Sequence, residues 1–231
     1  MKELIKKIPV IGDASRQLYW KLLSAARKPK PFPGSKHYWE RNYADGGNSG
    51  EGSYGKFAEF KAEILNNFVA THDVKSVIEF GCGDGNQLAL ANYPRYSGFD
   101  VSATALAACR KRFASDRTKS FKFVQQYNGE KADLALSLDV IYHLVEDDIY
   151  KAYMRKLFAA SNRYVIIYSS DKRFNLGYKG THVWHRKFTP WVKRNAPEWK
   201  LIQRIPNRYP YRGDYTTGSW ADFFIYEKAV S

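Results

Sequence analysis

The stretch SVIEFGCGDGNQ, residues 76–87, constrains the fold more than any other part of the chain. A short apolar run ends at an acid, Glu79, and glycines follow at positions 81, 83 and 85. Glycine adopts positive φ at little cost and lets a second molecule approach the main chain closely. In open α/β sheets, a strand that ends in such a loop, with a helix after it, is the usual seat of a nucleotide-like ligand. The spacing departs from the dinucleotide pattern G-x-G-x-x-G, because Asn86 stands where its third glycine would fall.

Regular alternation follows that loop. Strands read as KSVIEF, YSGFD, FKFV, DLALSL and RYVIIYS, with helical patterns at NQLALANY, SATALAACRKRF and EDDIYKAYMRKLFAAS. Strands separated by helices imply βαβ units and a parallel sheet covered on both faces. KLIQRIP and ADFFIYEK, joined by a loop, predict a closing antiparallel hairpin. The expected fold is therefore α/β, Rossmann-like and doubly wound, with a mostly parallel seven-stranded sheet. FTPWVKRNAPEW is expected to form a helix over the sheet edge. Upstream, KPKPFPG is a proline-rich boundary. It divides a basic amphipathic segment (1–30) from an aromatic, glycine-rich lid and helix (31–73), and the core spans 74–231 with an insertion around 170–195.

The residues then carry a resemblance. EFGCGDGN resembles the E/D-x-G-x-G-x-G loop of class I S-adenosylmethionine-dependent methyltransferases, and Asp100 ends the second strand 21 residues after Glu79. DLALSLDVIYHLVED is similar to the fourth-strand segment of that family. The resemblance implies S-adenosylmethionine as cofactor. Gly81, Cys82 and Gly83 would pass close to its methionyl part, Glu79 would hold the ammonium group, and Asp100, beside Val101, would hold the ribose. Gln125 or Gln126 would lie at the adenine, and Leu138 and Asp139 would meet the cofactor at the end of the fourth strand. Asp100 also has a plainer reading as a capping acid before VSATAL. The segment YWERNYADGGNSGEGSYGKFAEFKAEILN resembles a leader of bacterial methyltransferases associated with polysaccharide biosynthesis. Tyr38, Trp39 and Tyr43 would cap the cofactor, and the loop through Ser53 and Tyr54 would close over it.

Methyl transfer is an in-line displacement, favoured by holding nucleophile and methyl group in line. A sugar hydroxyl needs a base. His143 is the first candidate, with Asp139 orienting it or acting itself. His182 and His185, around Trp184 and followed by Arg186, are a second source of a base or of substrate contacts. Their spacing matches no strong metal-ligand pattern, so no metal is expected. Cys82 and Cys109 support neither a disulfide framework nor a zinc site.

Net charge is +14, but residues 1–30 carry +6, residues 171–231 carry +7 and the middle only +1. Basic ends suggest an anionic partner. The last 61 residues hold thirteen aromatics interleaved with Lys and Arg, a composition suited to acidic sugars and also to bases. The leading expectation is O-methylation of a sugar hydroxyl in a glycan or polysaccharide. An RNA methyltransferase and a non-catalytic module that binds anions or a membrane through residues 1–30 stand beside it. No apolar stretch reaches membrane-spanning length and no secretory signal is evident, so a cytoplasmic location, with possible membrane-surface contact, is expected.

Overall fold

The computed structural model describes residues 32–173, 175 and 182–229. The order is α1 (Ser35–Ala44), α2 (Gly55–Thr71), β1 (Val77–Phe80), β2 (Tyr96–Asp100), α3 (Ala103–Arg112), β3 (Lys119–Phe123), β4 (Ala132–Leu138), α4 (Asp147–Ala159), β5 (Ser161–Ser169), α5 (Thr189–Asn195), β6 (Trp199–Ile205) and β7 (Asp222–Lys228). The seven strands form one sheet in the order β3-β2-β1-β4-β5-β7-β6. Neighbours from β3 to β5 pair in parallel, and β7 runs antiparallel to β5 and β6. The Rossmann-like architecture and its closing hairpin are those implied by the alternating pattern. The basic segment 1–30 lies outside the described residues.

Period-two burial explains the strands. Leu134, Leu136 and Leu138 of β4 enter one core with Phe60, Leu65 and Phe68 of α2. Ala135 points the other way, into a core with Met154, Leu157 and Phe158 of α4. A sheet buried on both faces needs apolar residues at nearly every position, and the central strands have them. The chain winds from β1 outward to β3, then crosses to β4 on the other side of β1. Two outward windings part between β1 and β4, and crevices for ligands open at that point beyond the strands' carboxyl ends.

Two expectations need correction. NQLALANY forms a single short helical turn, Leu88–Leu90, rather than a helix. Pro94 closes the available length, and Asn66 of α2 clamps the segment by donating to the Leu90 carbonyl and accepting from the Asn92 amide. Helix α5 does not cover an edge. Trp191 and Val192, with Phe188 before them, bury themselves on the sheet face that carries Phe224 and Tyr226.

Candidate active site

The glycine loop begins where β1 ends. Gly81 and Gly83 have φ of 86° and 56°, a region that disfavours side chains. A Cβ on Gly81 would stand 2.4 Å from Val140 Cγ2, and one on Gly83 would stand 2.3 Å from Ser49 Oγ. The main chain therefore borders a cavity of about 320 Å3, lined also by Glu79, Asp100, Leu138, Asp139 and His143. That is the lower end of the size range of ligand pockets.

Two buried acids face this space. Asp100 accepts from the Gly83 amide through Oδ2 and from the Ser102 amide through Oδ1, both at 2.9 Å. Burial pushes its carboxyl upward against those bonds. The side-chain cap of α3 is Ser102, whose Oγ accepts from the Ala105 amide at 3.1 Å, so Asp100 is not the capping side chain. Glu79 accepts from the Tyr96 hydroxyl at 2.6 Å. Burial pushes it up to about 7, against the pull of that bond and of Lys61. Gln87, which lines the same cavity, donates to the Ala58 carbonyl, while its buried Oε1 lacks a partner among the described residues. A carboxylate and an orphaned amide oxygen fit a cationic group, and the second carboxylate, in contact with the glycine loop, fits a diol.

The segment expected as a lid lies against the glycine loop. Asp84 accepts from the Tyr54 hydroxyl at 2.7 Å and from the Ser49 amide at 3.1 Å, while Ser49 Oγ accepts from the Asp84 amide. Tyr43 shares a 2.9 Å hydrogen bond with Ser49. Helix α1 is pinned from beneath, where Glu40 accepts from the Ala103 amide and the Thr104 hydroxyl at the start of α3. An acid is favourable at that end of a helix dipole.

At the far end of the cavity, Asp139 follows β4 with φ of 59°, a left-handed conformation rare for a residue with a side chain. Each oxygen of its carboxylate has a partner. Lys61 Nζ, with its side chain 1% exposed, lies 2.7 Å from Oδ2, and the Tyr142 hydroxyl donates to Oδ1 at 2.8 Å. The Lys61 ammonium also sits over the Tyr168 ring, 5.2 Å from its centre. His143 Nδ1 lies 2.9 Å from the His182 carbonyl oxygen. A carbonyl only accepts, so Nδ1 carries the proton and Nε2 is left as the acceptor. Burial holds this imidazole down at about 4, and it is neutral near pH 7.

Glu79, Gly81, Cys82, Gly83, Asp100, Val101, Leu138, Asp139, His143, Tyr43 and Trp39 meet at one cavity. Gln126 does not line it: its Oε1 turns back to accept from the Phe123 amide, and Gln125 faces the cavity instead. Tyr54 acts on the lid through Asp84 and is not in the wall. His182 is also outside the wall; its ring stacks on Tyr38 at 4.3 Å and its main chain fixes His143. His185 bonds Ser170 at 2.7 Å, away from the cavity. Lys61, Ser49, Asp84 and Gln87 were not anticipated. Lys61 had one available signal, a lone cation on the apolar face of KFAEFKAEIL, three or four residues from Phe57, Ala58, Ile64 and Leu65.

Residues 78–162 match the family model described as a methyltransferase domain. No curated protein matches the sequence. Among solved structures, the N-methyltransferase NodS from Bradyrhizobium japonicum WM9 in complex with S-adenosylhomocysteine is similar, with a TM-score of 0.64 and 15% identity over 84% of this chain and 98% of that one. Magnesium protoporphyrin IX methyltransferase from Synechocystis PCC 6803, also with bound S-adenosylhomocysteine, has a TM-score of 0.57 and 15% identity over 74% of this chain and 83% of that one. The methyltransferase domain of bacterial CtHen1 has a TM-score of 0.56 and 20% identity, covering 74% and 97%. At these identities the likenesses establish the fold.

Proposed function

We propose that the chain is an S-adenosylmethionine-dependent methyltransferase and that it methylates a hydroxyl group of a carbohydrate. Bound here, the cofactor supplies an electrophilic methyl group. Asp100 would hold its ribose diol, and Glu79 with Gln87 Oε1 would hold its ammonium group. The main chain at Gly81 and Gly83 leaves room for it. The lid closed through Asp84 excludes water from the reacting atoms.

The observation that carries the proposal is the fixed tautomer of His143. The neighbouring carboxylate, Asp139, already accepts from Lys61 and Tyr142. His143 Nε2 is left free to accept, and it takes the proton that a hydroxyl loses as its oxygen takes the methyl group. Trp39, edge-on to His143 at 4.8 Å between ring centres, offers an aromatic wall of the kind sugar rings pack against. The resemblance of the 38–66 leader to polysaccharide-associated methyltransferases supports the same acceptor class.

The test uses labelled S-adenosylmethionine with a panel of mono- and oligosaccharides, an RNA pool and small amines. Label should enter an ether on a sugar, and His143→Gln should lower kcat by about 100-fold or more with S-adenosylhomocysteine affinity unchanged. Because the ring is held near 4, kcat should stay flat from about pH 5.5 to neutrality rather than fall around the ordinary histidine range. Label confined to RNA or amines, or unaltered turnover in the variant, refutes the proposal.

A further inference from the structure

A second cavity, about 970 Å3, adjoins the segment of chain that carries His143. The two share one segment of chain. His143 and Leu144 line the first cavity and Val145 lines the second. The back side of this segment is fastened to the stretch after residue 182: the Trp184 amide donates to the Tyr142 carbonyl, and Arg186 donates to the carbonyls of Leu144 and Val145.

Cations dominate this second space. Among the described residues, Arg173, Arg186, Lys187 and Arg194 line it against one acid, Asp147. Arg186 is spent on structure, because it pairs with Asp147 at 2.6 Å and lies over the Tyr150 ring at 4.8 Å. The other three, Arg173, Lys187 and Arg194, have no hydrogen-bond or ion-pair partner among the described residues. Their frame is firm. Asp171 takes two hydrogen bonds from Thr189 at the start of α5, and Asn175 exchanges two with the main chain of His185. Trp184 and the buried Trp191 supply flat apolar walls between the charges.

We propose that this groove binds a diphosphate group carried by the acceptor. With Asp147 taken up by Arg186, the exposed side chains of Arg173, Lys187 and Arg194 leave the groove strongly positive, which favours the clustered negative oxygens of a diphosphate. Arginine adds the bidentate geometry suited to its oxygens. Val145 of this groove stands two residues along the chain from His143 of the first cavity. The link to methyl transfer rests on the carbohydrate reading above, whereas the anion site itself does not.

Binding therefore tests the site without activity. Calorimetry on the full chain would use inorganic pyrophosphate, uridine diphosphate, geranyl diphosphate and glucuronate, with S-adenosylhomocysteine as the measure of an intact fold. Pyrophosphate should bind, more tightly as salt is lowered, and glucuronate at least tenfold more weakly. Lys187→Gln and Arg194→Gln should each weaken pyrophosphate about tenfold, with S-adenosylhomocysteine affinity retained. Lys200→Gln, on the exposed side of β6, should not weaken it. Tighter uridine diphosphate identifies a nucleotide-linked acceptor, and tighter geranyl diphosphate a lipid-linked one. No pyrophosphate binding at millimolar concentration, equal glucuronate binding, or an equal loss in Lys200→Gln overturns the site. Pyrophosphate binding without sugar methylation would keep the site and refute only the acceptor reading.

Discussion

Cofactor affinity should depend on pH through Glu79. Burial holds its carboxyl at about 7. A cationic group bound beside it favours the ionised form, so binding must release a proton wherever the free protein still holds one. Each pH unit below 7 then weakens binding about tenfold, or ~1.4 kcal/mol. The fall ends where the bound-state value is reached. A charge-assisted hydrogen bond contributes about 1.5–3 kcal/mol, so the total loss should lie between about 10-fold and 150-fold. The assay is calorimetric titration with S-adenosylhomocysteine from about pH 7 to about pH 5, in buffers of different ionisation enthalpy so that released protons are counted. Glu79→Gln keeps an oxygen for the Tyr96 hydroxyl but removes the charge. Its affinity should be low and flat. A wild-type affinity that is constant over this range with no proton release refutes the argument. A slope that survives in Glu79→Gln assigns the linkage to another group, Asp100 first.

Three further outcomes follow from the same geometry. Asp100→Ala should weaken S-adenosylhomocysteine by about 1.5–3 kcal/mol in the same titration, and a loss below threefold would remove Asp100 from the ribose site. Lys61→Met leaves the Asp139 carboxylate without its buried cation and should cost about 3–5 kcal/mol in urea unfolding; a cost below 1 kcal/mol would mean water replaces the ammonium. Gly83→Ala brings a methyl group into Ser49 at a φ of 56°, so the lid should be displaced and faster proteolysis across residues 45–54 should accompany weaker cofactor binding. Unchanged proteolysis would show that the lid does not rest on Gly83.

The sheet was legible because its evidence is local. YSGFD coincides with β2, and the other strands extend a few residues beyond or stop short of the predicted runs, where hydrogen bonding rather than hydrophobicity sets the end. NQLALANY misled because its helical spacing is real, while Pro94 and the clamp from Asn66 are constraints of neighbours. The floor of the cavity was legible for a similar reason: Glu79, the glycines and Asp100 lie on consecutive strand ends, where topology brings them together. The roles at the acceptor end were not. Lys61 meets Asp139 only because α2 packs across β4, and His182 acts through a main-chain carbonyl that no side-chain pattern records. Gln125 and Gln126 differ by one step of a short helical turn, and which one faces inward depends on the bond to Phe123.

The most direct test of the central claim is a crystal structure with S-adenosylhomocysteine. The account predicts the ribose hydroxyls on Asp100, the amino group beside Glu79 and Gln87, and the sulfur on the side of the cavity that holds Asp139 and His143. A ligand bound elsewhere, or one lying in the cavity with its ribose away from Asp100, would contradict it.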